Sequence, residues 1–391
     1  MQDSSRNRFA IIYFSSTDWD STWQRPQQLT SRLTRSSQVL YVNSLGLRAP
    51  LLTDLGRILK RVGSAFIPRT KPSLQPELTL LSPLFFLPIP SSRWAGRVNG
   101  WLIHHALARW VEQQGARPLV LWVGIPSPAV MEAIKHLPPG LVVYDCIDNF
   151  AAFHRNRPDI DETEQRLAST AGIVFATSAE LFEKMKRINS QTFLVPNAVD
   201  FIQFRTAAKL DGDPPPDMAP LGHPVLGYAG EIAEWFDSEL VHDLAAQNPT
   251  WSIVLIGRIH VDISRILRLP NVHYLGLKSY ADIPSYMRQF DVCLLPFKIS
   301  PLTNAVNPIK FYEYLAMGKP VVSTPIREIQ HYSDTVEIAD RSEFTRAVKR
   351  ALATSGDEDK IAKRLKIAQD NTWDKRIEEI FRILDASLGS T

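Results

Sequence analysis

The sequence predicts an α/β fold built from two doubly wound Rossmann-like domains. In both halves of the chain, short apolar runs of strand length alternate with segments whose apolar residues follow a helical period. This alternation is typical of parallel sheets that are covered by helices. The 391 residues also exceed the length at which a single hydrophobic core stops growing, so two domains are expected.

The first half supplies one set of strands and helices in alternation. Strands are predicted at 9–14, 38–43, 78–81, 119–123, 141–147, 172–177 and 192–195, and helices at 25–35, 94–114, 128–136, 161–170 and 179–187. The second half repeats the pattern. Its strands are predicted at 225–228, 252–256, 272–274, 292–296, 321–323 and 336–338, and its helices at 237–246, 281–289, 308–317, 341–354 and 358–370.

A segment rich in Pro, Gly and Asp separates the two halves. It spans residues 211–224 and includes three consecutive prolines, a composition typical of a linker. We therefore expect an N-terminal domain over residues 1–205 and a C-terminal domain over 206–372. A last amphipathic helix follows over 373–391 and opens at Thr372, Trp373 and Asp374.

Composition favours a cytoplasmic enzyme without a membrane span. The two cysteines, Cys146 and Cys293, lie inside apolar runs, and their spacing suggests neither a disulfide framework nor a metal site. The polar start and the short apolar run 9–14 do not form a signal peptide. No apolar run reaches the ~18 residues of a spanning helix.

The N-terminal part is the basic one. Residues 1–117 carry 15 Lys and Arg against 6 Asp and Glu. Cations flank an apolar and aromatic stretch, namely Arg57, Lys60, Arg61, Arg69, Lys71, Arg93 and Arg97 around Leu84, Phe85, Phe86, Leu87, Trp94 and Trp101. This mixture suits a peripheral position on the inner face of the plasma membrane, although a basic solvated face is the alternative. No nucleic-acid-binding module accompanies the charge, so nucleic acid is not an expected partner.

The most informative segment spans residues 307–325. Asn307 suits a helix N-cap, Pro308 the first helical position and Gly318 the left-handed exit before a strand. Lys310 and Glu313 then share one face near the helix start. A helix start attracts anions such as a diphosphate, Lys310 adds charge, and Glu313 accepts hydrogen bonds from hydroxyls, which together suit a nucleotide sugar. The alternative is a solvated surface pair.

This segment resembles the donor-site element of GT-B glycosyltransferases, above all the large retaining family four. The resemblance rests on a helix with its Glu, followed by Ala316-Met317-Gly318-Lys319-Pro320-Val321-Val322. It implies two Rossmann-like domains facing a cleft, a C-terminal helix that crosses back to the first domain, and a Glu313 that binds the ribose diol. The family usually has another Glu at the position of Ala305, so Asn304 and Asn307 become the candidates for hydrogen bonds to the sugar.

Bacterial surface-polysaccharide glycosyltransferases of the teichuronic acid type are more similar still. They share the Asn-Pro before Lys310 and the Glu-Tyr-Leu-Ala after it. Further donor-binding candidates lie at predicted strand ends, where ligands bind open parallel sheets, and beside Lys310: Gly230, Glu231, Gly257, Arg258, Gly276, Leu277, Pro308 and Ile309. The family commonly places cations just after the glycine that matches Gly230. Here Arg258 and Lys310 are the replacements, and an ordinary surface charge is the alternative for Arg258.

The first domain is expected to supply the acceptor side. The segment 18–29, which follows the first strand, is similar to segments that open the same bacterial subset. Candidates are Asp18, Trp19, Trp23, Arg25, Asp145, Asp148 and His154. If the reaction inverts the sugar centre, Asp148 is the candidate base, whereas in a retaining reaction the leaving diphosphate itself takes the proton. A turn or cap role is the alternative for Asp145 and Asp148.

The function expected from these features is transfer of a sugar from a nucleoside diphosphate sugar to a glycan or lipid-linked acceptor during cell-surface polysaccharide synthesis. A retaining outcome is favoured, and neither a cofactor nor a metal is expected, because Asp18 and Asp20 come too early for a GT-A metal motif. A sugar-nucleotide epimerase of the same fold and a non-catalytic nucleotide-binding scaffold are the alternatives. A nicotinamide dehydrogenase is disfavoured, since no glycine-rich turn follows the first strand.

Overall fold

The computed structural model describes residues 8–44, 75–82, 93–138, 140–153, 158–210 and 212–389. The chain forms two compact units. Unit 1 consists of Met1–Val195 together with Ile377–Thr391, and unit 2 of Pro196–Arg376.

Within the described residues, unit 1 is built on a parallel sheet of seven strands. They are β1 (Ala10–Phe14), β2 (Gln38–Val42), β3 (Leu78–Leu81), β4 (Leu119–Val123), β5 (Leu141–Cys146), β6 (Ile173–Ala176) and β7 (Thr192–Leu194). Their order is β3-β2-β1-β4-β5-β6-β7 and all pairs are parallel. The order reverses between β1 and β4, which is the switch point of a doubly wound sheet. The strands are apolar on both faces because helices cover both.

The helices of unit 1 follow the strands in sequence. They span Arg25–Leu33, Arg93–Glu112, Pro128–Lys135, Phe150–Phe153, Pro158–Thr170 and Ala179–Lys186.

Unit 2 repeats the same topology with six strands. They are β8 (Val225–Ala229), β9 (Ser252–Ile256), β10 (Val272–Tyr274), β11 (Val292–Leu295), β12 (Val321–Ser323) and β13 (Glu337–Ile338), in the order β10-β9-β8-β11-β12-β13. All pairs are parallel, and the switch point lies between β8 and β11. Its helices span Phe201–Lys209, Ser238–Gln247, Ser264–Leu267, Ile283–Arg288, Pro301–Asn304, Ile309–Ala316, Arg327–Gln330, Phe344–Ala353 and Glu358–Asp370.

The boundary between the units lies earlier than the predicted boundary at residue 205. Helix Phe201–Lys209 belongs to unit 2, where Phe204 packs edge-on against Tyr280 with ring centroids 5.8 Å apart. The predicted linker also belongs to unit 2, and its Asp217 pairs with Lys278 at 2.6 Å. Residues 212–224 contain neither helix nor strand. The ion pair of Asp217 with Lys278 nevertheless attaches this segment to the rest of unit 2.

The last helix, Trp373–Leu388, begins in unit 2 and continues into unit 1 from Ile377 onward. Within unit 1, Phe381 stacks on Phe9 with ring centroids 6.1 Å apart, and Asp385 forms an ion pair with Arg8. These contacts attach the end of the helix to residues beside β1. Within the described residues, none of the helices combines the length and apolarity that crossing a membrane requires.

Candidate active site

The helix that carries Lys310 and Glu313, here called the Lys310 helix (Ile309–Ala316), is fixed to the sheet of unit 2 beside its switch point. The hydroxyl of Tyr314 accepts a hydrogen bond of 3.0 Å from the backbone N–H of Ala229, the last residue of β8. Tyr314 is fully buried. This bond ties the helix to the strand end where doubly wound sheets bind ligands.

Lys310 and Glu313 form an ion pair that engages only one of the two oxygens of the Glu313 carboxylate. Lys310 Nζ lies 2.7 Å from Glu313 Oε2. The Glu313 side chain is 0% exposed and that of Lys310 is 19% exposed, so this is no solvated surface pair. The second oxygen, Glu313 Oε1, is buried and has no hydrogen-bond partner among the described residues. Buried polar atoms are almost always bonded, so an atom of this kind suits a ligand that supplies the missing donor.

The helix start differs from the prediction. The N-cap residue is Pro308, not Asn307, and the helix begins at Ile309. A proline cap offers no side-chain acceptor, which leaves the first-turn amides to water or to a bound anion. Gly318 adopts the predicted left-handed conformation, with φ of 74°.

Asn307 is fully engaged within unit 2 and does not fit the predicted contact with a sugar. Its Oδ1 accepts from the Asn197 backbone N–H at 3.0 Å. Its Nδ2 donates to Tyr312 Oη at 3.1 Å and to Glu328 Oε2 at 3.2 Å. An amide whose acceptor and both donors are occupied serves structure. Asn304, which ends helix Pro301–Asn304, is half-exposed, and the position of the family's second Glu is occupied by the buried Ala305.

Three glycines meet at the carboxyl ends of β8, β9 and β10. The N–H of Gly230 donates to Ile256 O at 2.8 Å, and that of Gly257 donates to Gly276 O at 2.9 Å. Gly257 has φ of 141°, and a Cβ on it would lie 1.9 Å from Gly230 O. Only glycine fits this position. The close packing of backbone leaves main-chain groups, not side chains, at the edge where the sequence predicts donor binding.

The remaining predicted donor residues surround these glycines. Arg258 is exposed, and its guanidinium forms no ion pair within the described part of the chain. Leu277 is half-exposed, Ile309 and Pro308 flank the start of the Lys310 helix, and Glu231 Oε2 lies 2.5 Å from His260 Nε2. Their roles in donor binding stay predictions.

Two residues of this region carried no signal in the sequence. The ring of Tyr280 lies 6.0 Å from Lys310 Nζ, within reach of a cation–π interaction. His260 contacts Glu231 and can neutralise it when protonated. Tyr280 is far from Lys310 in the sequence, and His260 is far from Glu231, so only the fold brings the members of each pair together.

In unit 1, Arg25 and Asp145 have a structural role instead of the predicted contact with an acceptor. Asp145 is 0% exposed and Arg25 2% exposed, and Arg25 Nη2 lies 2.9 Å from Asp145 Oδ1. The carboxylate also accepts from Tyr13 Oη at 3.2 Å and Trp122 Nε1 at 3.3 Å. Arg25 further donates to Val195 O at 3.0 Å. The group is a buried polar network beneath the sheet end, out of reach of a substrate.

Asp148, which follows β5, has a different environment. It is half-buried and follows Ile147, which packs against the small apolar cluster of Ile125, Phe150 and Ile160. Burial of its carboxyl raises the pKa of Asp148 from 3.8 to about 7. A carboxyl with this pKa is suited to exchange a proton near neutral pH. The predicted partner His154 lies outside the described residues.

The aromatic residues after β1 form a cluster at the carboxyl edge of the sheet of unit 1. Trp19 packs against Trp23 and Tyr41, with ring centroids 5.7 Å and 5.1 Å away, and the backbone N–H of Trp19 donates to Asn43 Oδ1 at 2.8 Å. Asp18 is half-buried beside them. Across the described part of the chain, no group of three or more His, Cys, Asp or Glu residues could hold a metal ion.

Comparisons with known proteins agree with this architecture. Residues 223–354 match the family model described as glycosyl transferases group 1. A provisionally named teichuronic acid biosynthesis glycosyltransferase, TuaH of Bacillus subtilis (strain 168), is 29% identical over 287 residues, which cover 67% of this chain and 70% of that protein.

Solved structures share the fold over nearly the whole chain. Sucrose-phosphate synthase from Thermosynechococcus elongatus superposes with a TM-score of 0.71 at 14% identity, covering 99% of this chain and 100% of that one. Anabaena HepE in complex with UDP and glucose superposes with a TM-score of 0.63 at 15% identity, covering 97% and 100%. Together with the two Rossmann-like sheets, these likenesses confirm the predicted GT-B fold.

The family match spans β8 to the end of helix Phe344–Ala353 and includes both the Lys310 helix and the three glycines. The predicted enzyme class is thereby confirmed. Residues 223–354 form a domain of the group 1 glycosyltransferases on a GT-B fold, and the protein is a glycosyltransferase.

Proposed function

We propose that the protein transfers a hexose-like sugar from a nucleoside diphosphate sugar to a glycan or lipid-linked acceptor in cell-surface polysaccharide synthesis. The teichuronic acid assignment of the Bacillus subtilis relative supports the polysaccharide role. The Anabaena structure that holds UDP and glucose supports a uridine nucleotide as the first donor to test.

The observation that carries the proposal is the state of Glu313. The carboxylate is 0% exposed, one of its oxygens lies 2.7 Å from Lys310 Nζ, and the other has no partner among the described residues, so it can accept a hydrogen bond from a ligand hydroxyl. The two vicinal hydroxyls of a ribose supply such donors. A hydrogen bond to a charged, desolvated group is worth about 1.5–3 kcal/mol, so this contact would dominate nucleoside recognition.

Catalysis would then be electrostatic. The uncapped amides at the start of the Lys310 helix, with Lys310 and Arg258, would stabilise charge that grows on the diphosphate as the glycosidic bond breaks. Removal of one such group is expected to cost roughly 3 kcal/mol in the barrier, or about 100-fold in rate. With these groups in place, we expect the reaction to need neither a protein-bound metal nor a cofactor.

The fate of the acceptor proton depends on the stereochemical outcome. We favour a retaining reaction, in which the leaving diphosphate takes the proton from the acceptor hydroxyl. The raised pKa of Asp148, about 7, is what an inverting enzyme needs in its base. Determination of the anomeric configuration of the product decides between the two, and in a retaining enzyme Asp148→Asn should leave most of the turnover intact.

The experiment that tests the site measures nucleotide affinity with and without the ribose diol. Wild-type protein is titrated with UDP and with 2′,3′-dideoxy-UDP, and the titrations are repeated with Glu313→Gln and with the exposed control Glu358→Gln. We expect the missing diol to weaken binding about 10-fold or more in wild-type and control, and to make little difference in Glu313→Gln. An unchanged diol effect in Glu313→Gln would refute the assignment of the site.

A peripheral position on a membrane remains part of the proposal, and helix Arg93–Glu112 supports it. Trp94 is 65% exposed and Trp101 55% exposed, and both lie on one face with the exposed Arg97 and Arg109. Two bare indoles between cations suit the interface of an anionic bilayer. The double variant Trp94→Gln/Trp101→Gln should lose co-sedimentation with phosphatidylglycerol vesicles, whereas Ile202→Gln, a control whose side chain is 76% exposed in unit 2, should retain it.

A further inference from the structure

Unit 2 contains a polar cavity at the amino ends of its strands, and thus at the opposite edge of the sheet from the start of the Lys310 helix. It encloses about 120 Å³ and is walled by Pro320 and Val321, where β12 begins, and by Lys360 and Arg364 of helix Glu358–Asp370. One water needs only about 10–15 Å³, so the cavity has room for a ligand larger than a water molecule. We call this cavity the Arg364 pocket.

Arg364 is a buried cation with unused hydrogen-bonding capacity. The residue is 3% exposed, and its Nη1 donates to Gly318 O at 3.3 Å. Its Nε has no hydrogen-bond partner, and the guanidinium forms no ion pair within the described residues. Burial lowers the pKa of Arg364 because the charge is desolvated. A guanidinium has five N–H donors in a planar fork that matches the oxygens of an oxyanion, so the group is far from satisfied here.

The other groups around the pocket add donors. Lys360 Nζ lies 3.3 Å from Thr354 Oγ1, and the hydroxyl residues Ser333, Thr335 and Thr354 all line the cavity. A second partly buried cation lies nearby in Lys319, whose Nζ donates to Arg288 O at 2.7 Å and whose pKa is lowered by burial. Ammonium, guanidinium and hydroxyl donors in one small space are the groups that hold phosphate or sulfate.

The carboxylates of this region are already engaged. Glu337 Oε2 accepts from Arg350 Nε at 2.9 Å, and Asp334 Oδ1 accepts from the Thr335 hydroxyl at 3.1 Å at the exposed rim. Asp357 caps helix Glu358–Asp370 by accepting from the Lys360 backbone N–H at 3.1 Å. None of them forms an ion pair with Arg364 or Lys360 within the described residues. The charges of Glu337 and Asp357 act on Arg364 without direct contact and oppose the effect of burial on its pKa, so the N–H donors of Arg364 that face the pocket stay available to a ligand.

We propose that the Arg364 pocket binds a small oxyanion of the class of inorganic phosphate or sulfate. The anion would bridge Arg364 and Lys360 and accept from the hydroxyls of the wall. Arg364 also holds the carbonyl of Gly318, the glycine that follows the Lys310 helix, so occupancy would fix the far end of that helix.

The test is a titration of the protein with inorganic phosphate at constant ionic strength, set with sodium chloride and followed by calorimetry. Phosphate can also occupy the proposed diphosphate site at Lys310. The comparison therefore includes Lys310→Met, which removes a cation at that site, Lys360→Met and Arg364→Gln, which alter the pocket, and Lys363→Met, an exposed matched control on the same helix.

We expect Lys360→Met and Arg364→Gln each to weaken phosphate binding about 10-fold or more, and Lys310→Met and Lys363→Met to keep it. If Arg364→Gln does not fold, as judged by its thermal transition, Lys360→Met decides alone, because that side chain is only partly buried. Equal affinity in Lys360→Met and Lys363→Met would overturn the proposal. So would loss of all phosphate binding in Lys310→Met, without touching the assignment of the nucleotide site.

Discussion

Replacement of Gly257 by alanine tests how far the packing of glycine backbones shapes the edge of the unit 2 sheet. The backbone of Gly257 has φ of 141°, and an added Cβ would lie 1.9 Å from Gly230 O and 2.7 Å from Gly230 C. A residue with a side chain pays about 1–3 kcal/mol for such a backbone conformation, and overpacking adds about 1–3 kcal/mol. The obstacle is backbone and cannot rotate away.

Gly276→Ala is the matched control at the same edge. Its φ of 74° also favours glycine, but a Cβ there would meet nothing within 4 Å. Only the cost of placing a residue with a side chain at this positive φ remains, which is about 1–2 kcal/mol. We therefore expect Gly257→Ala to lower the free energy of unfolding of unit 2 by about 3 kcal/mol or more, roughly twice the effect of Gly276→Ala. For a domain of this size, each kcal/mol shifts Tm by about 2–4 °C.

Urea unfolding and hydrogen exchange of the β8 and β9 amides measure the two effects in the same experiment. Gly257→Ala should also weaken UDP binding, because the displaced Gly230 lies in the proposed donor site. Equal unfolding midpoints for the two variants would refute the reasoning, since the clash with Gly230 would then have no energetic consequence.

Two further predictions concern carboxylates of unit 1. The pKa of Asp148 is raised from 3.8 to about 7, so between these values the native state binds a proton that the unfolded state has lost, and stability falls as pH rises through this window. Asp148→Asn should remove this loss, and its free energy of unfolding in urea should exceed that of the wild type at pH 8 by more than at pH 4; parallel pH profiles would contradict this. Arg25→Met leaves Asp145 charged and 0% exposed, and should cost about 3–5 kcal/mol of stability by thermal unfolding. The double variant Arg25→Met/Asp145→Leu should regain most of the lost stability. If it does not, the pair stabilises the fold through more than the attraction between its two charges.

The sequence was sufficient for the strands and long helices, because they depend on local apolar periodicity. Helices of four residues, such as Ser264–Leu267 and Arg327–Gln330, were not predicted, since one turn leaves no periodic pattern to recognise. Helix Phe201–Lys209 was also missed, and with it the position of the boundary at Val195. That boundary depends on tertiary packing of Phe204 against Tyr280, which no local signal encodes.

The candidate site shows the same division between local and long-range information. Lys310 and Glu313 are three residues apart on one helix, so their pairing could be predicted from spacing. Asn307 was predicted as an N-cap on residue type alone. Its partners Asn197, Tyr312 and Glu328 converge only in the folded unit. Because the side-chain amide of Asn307 is bonded to these tertiary partners, it does not cap the helix. Pro308 occupies the N-cap position instead.

Two of the ion pairs with a fully buried carboxylate, Arg25–Asp145 and Lys310–Glu313, show how a structural carboxylate can be distinguished from a candidate ligand-binding one. Asp145 accepts from Arg25, Tyr13 and Trp122, and both of its oxygens have partners, which is the state expected of a group that only stabilises the fold. Glu313 is equally buried, yet one oxygen has no partner among the described residues. Leaving a buried acceptor unsatisfied costs about 1–3 kcal/mol, and a fold retains such a cost where a ligand removes it. The unpaired oxygen of Glu313, more than the charge of the pair, is therefore the observation that supports our proposal that the donor nucleotide binds at the Lys310 helix.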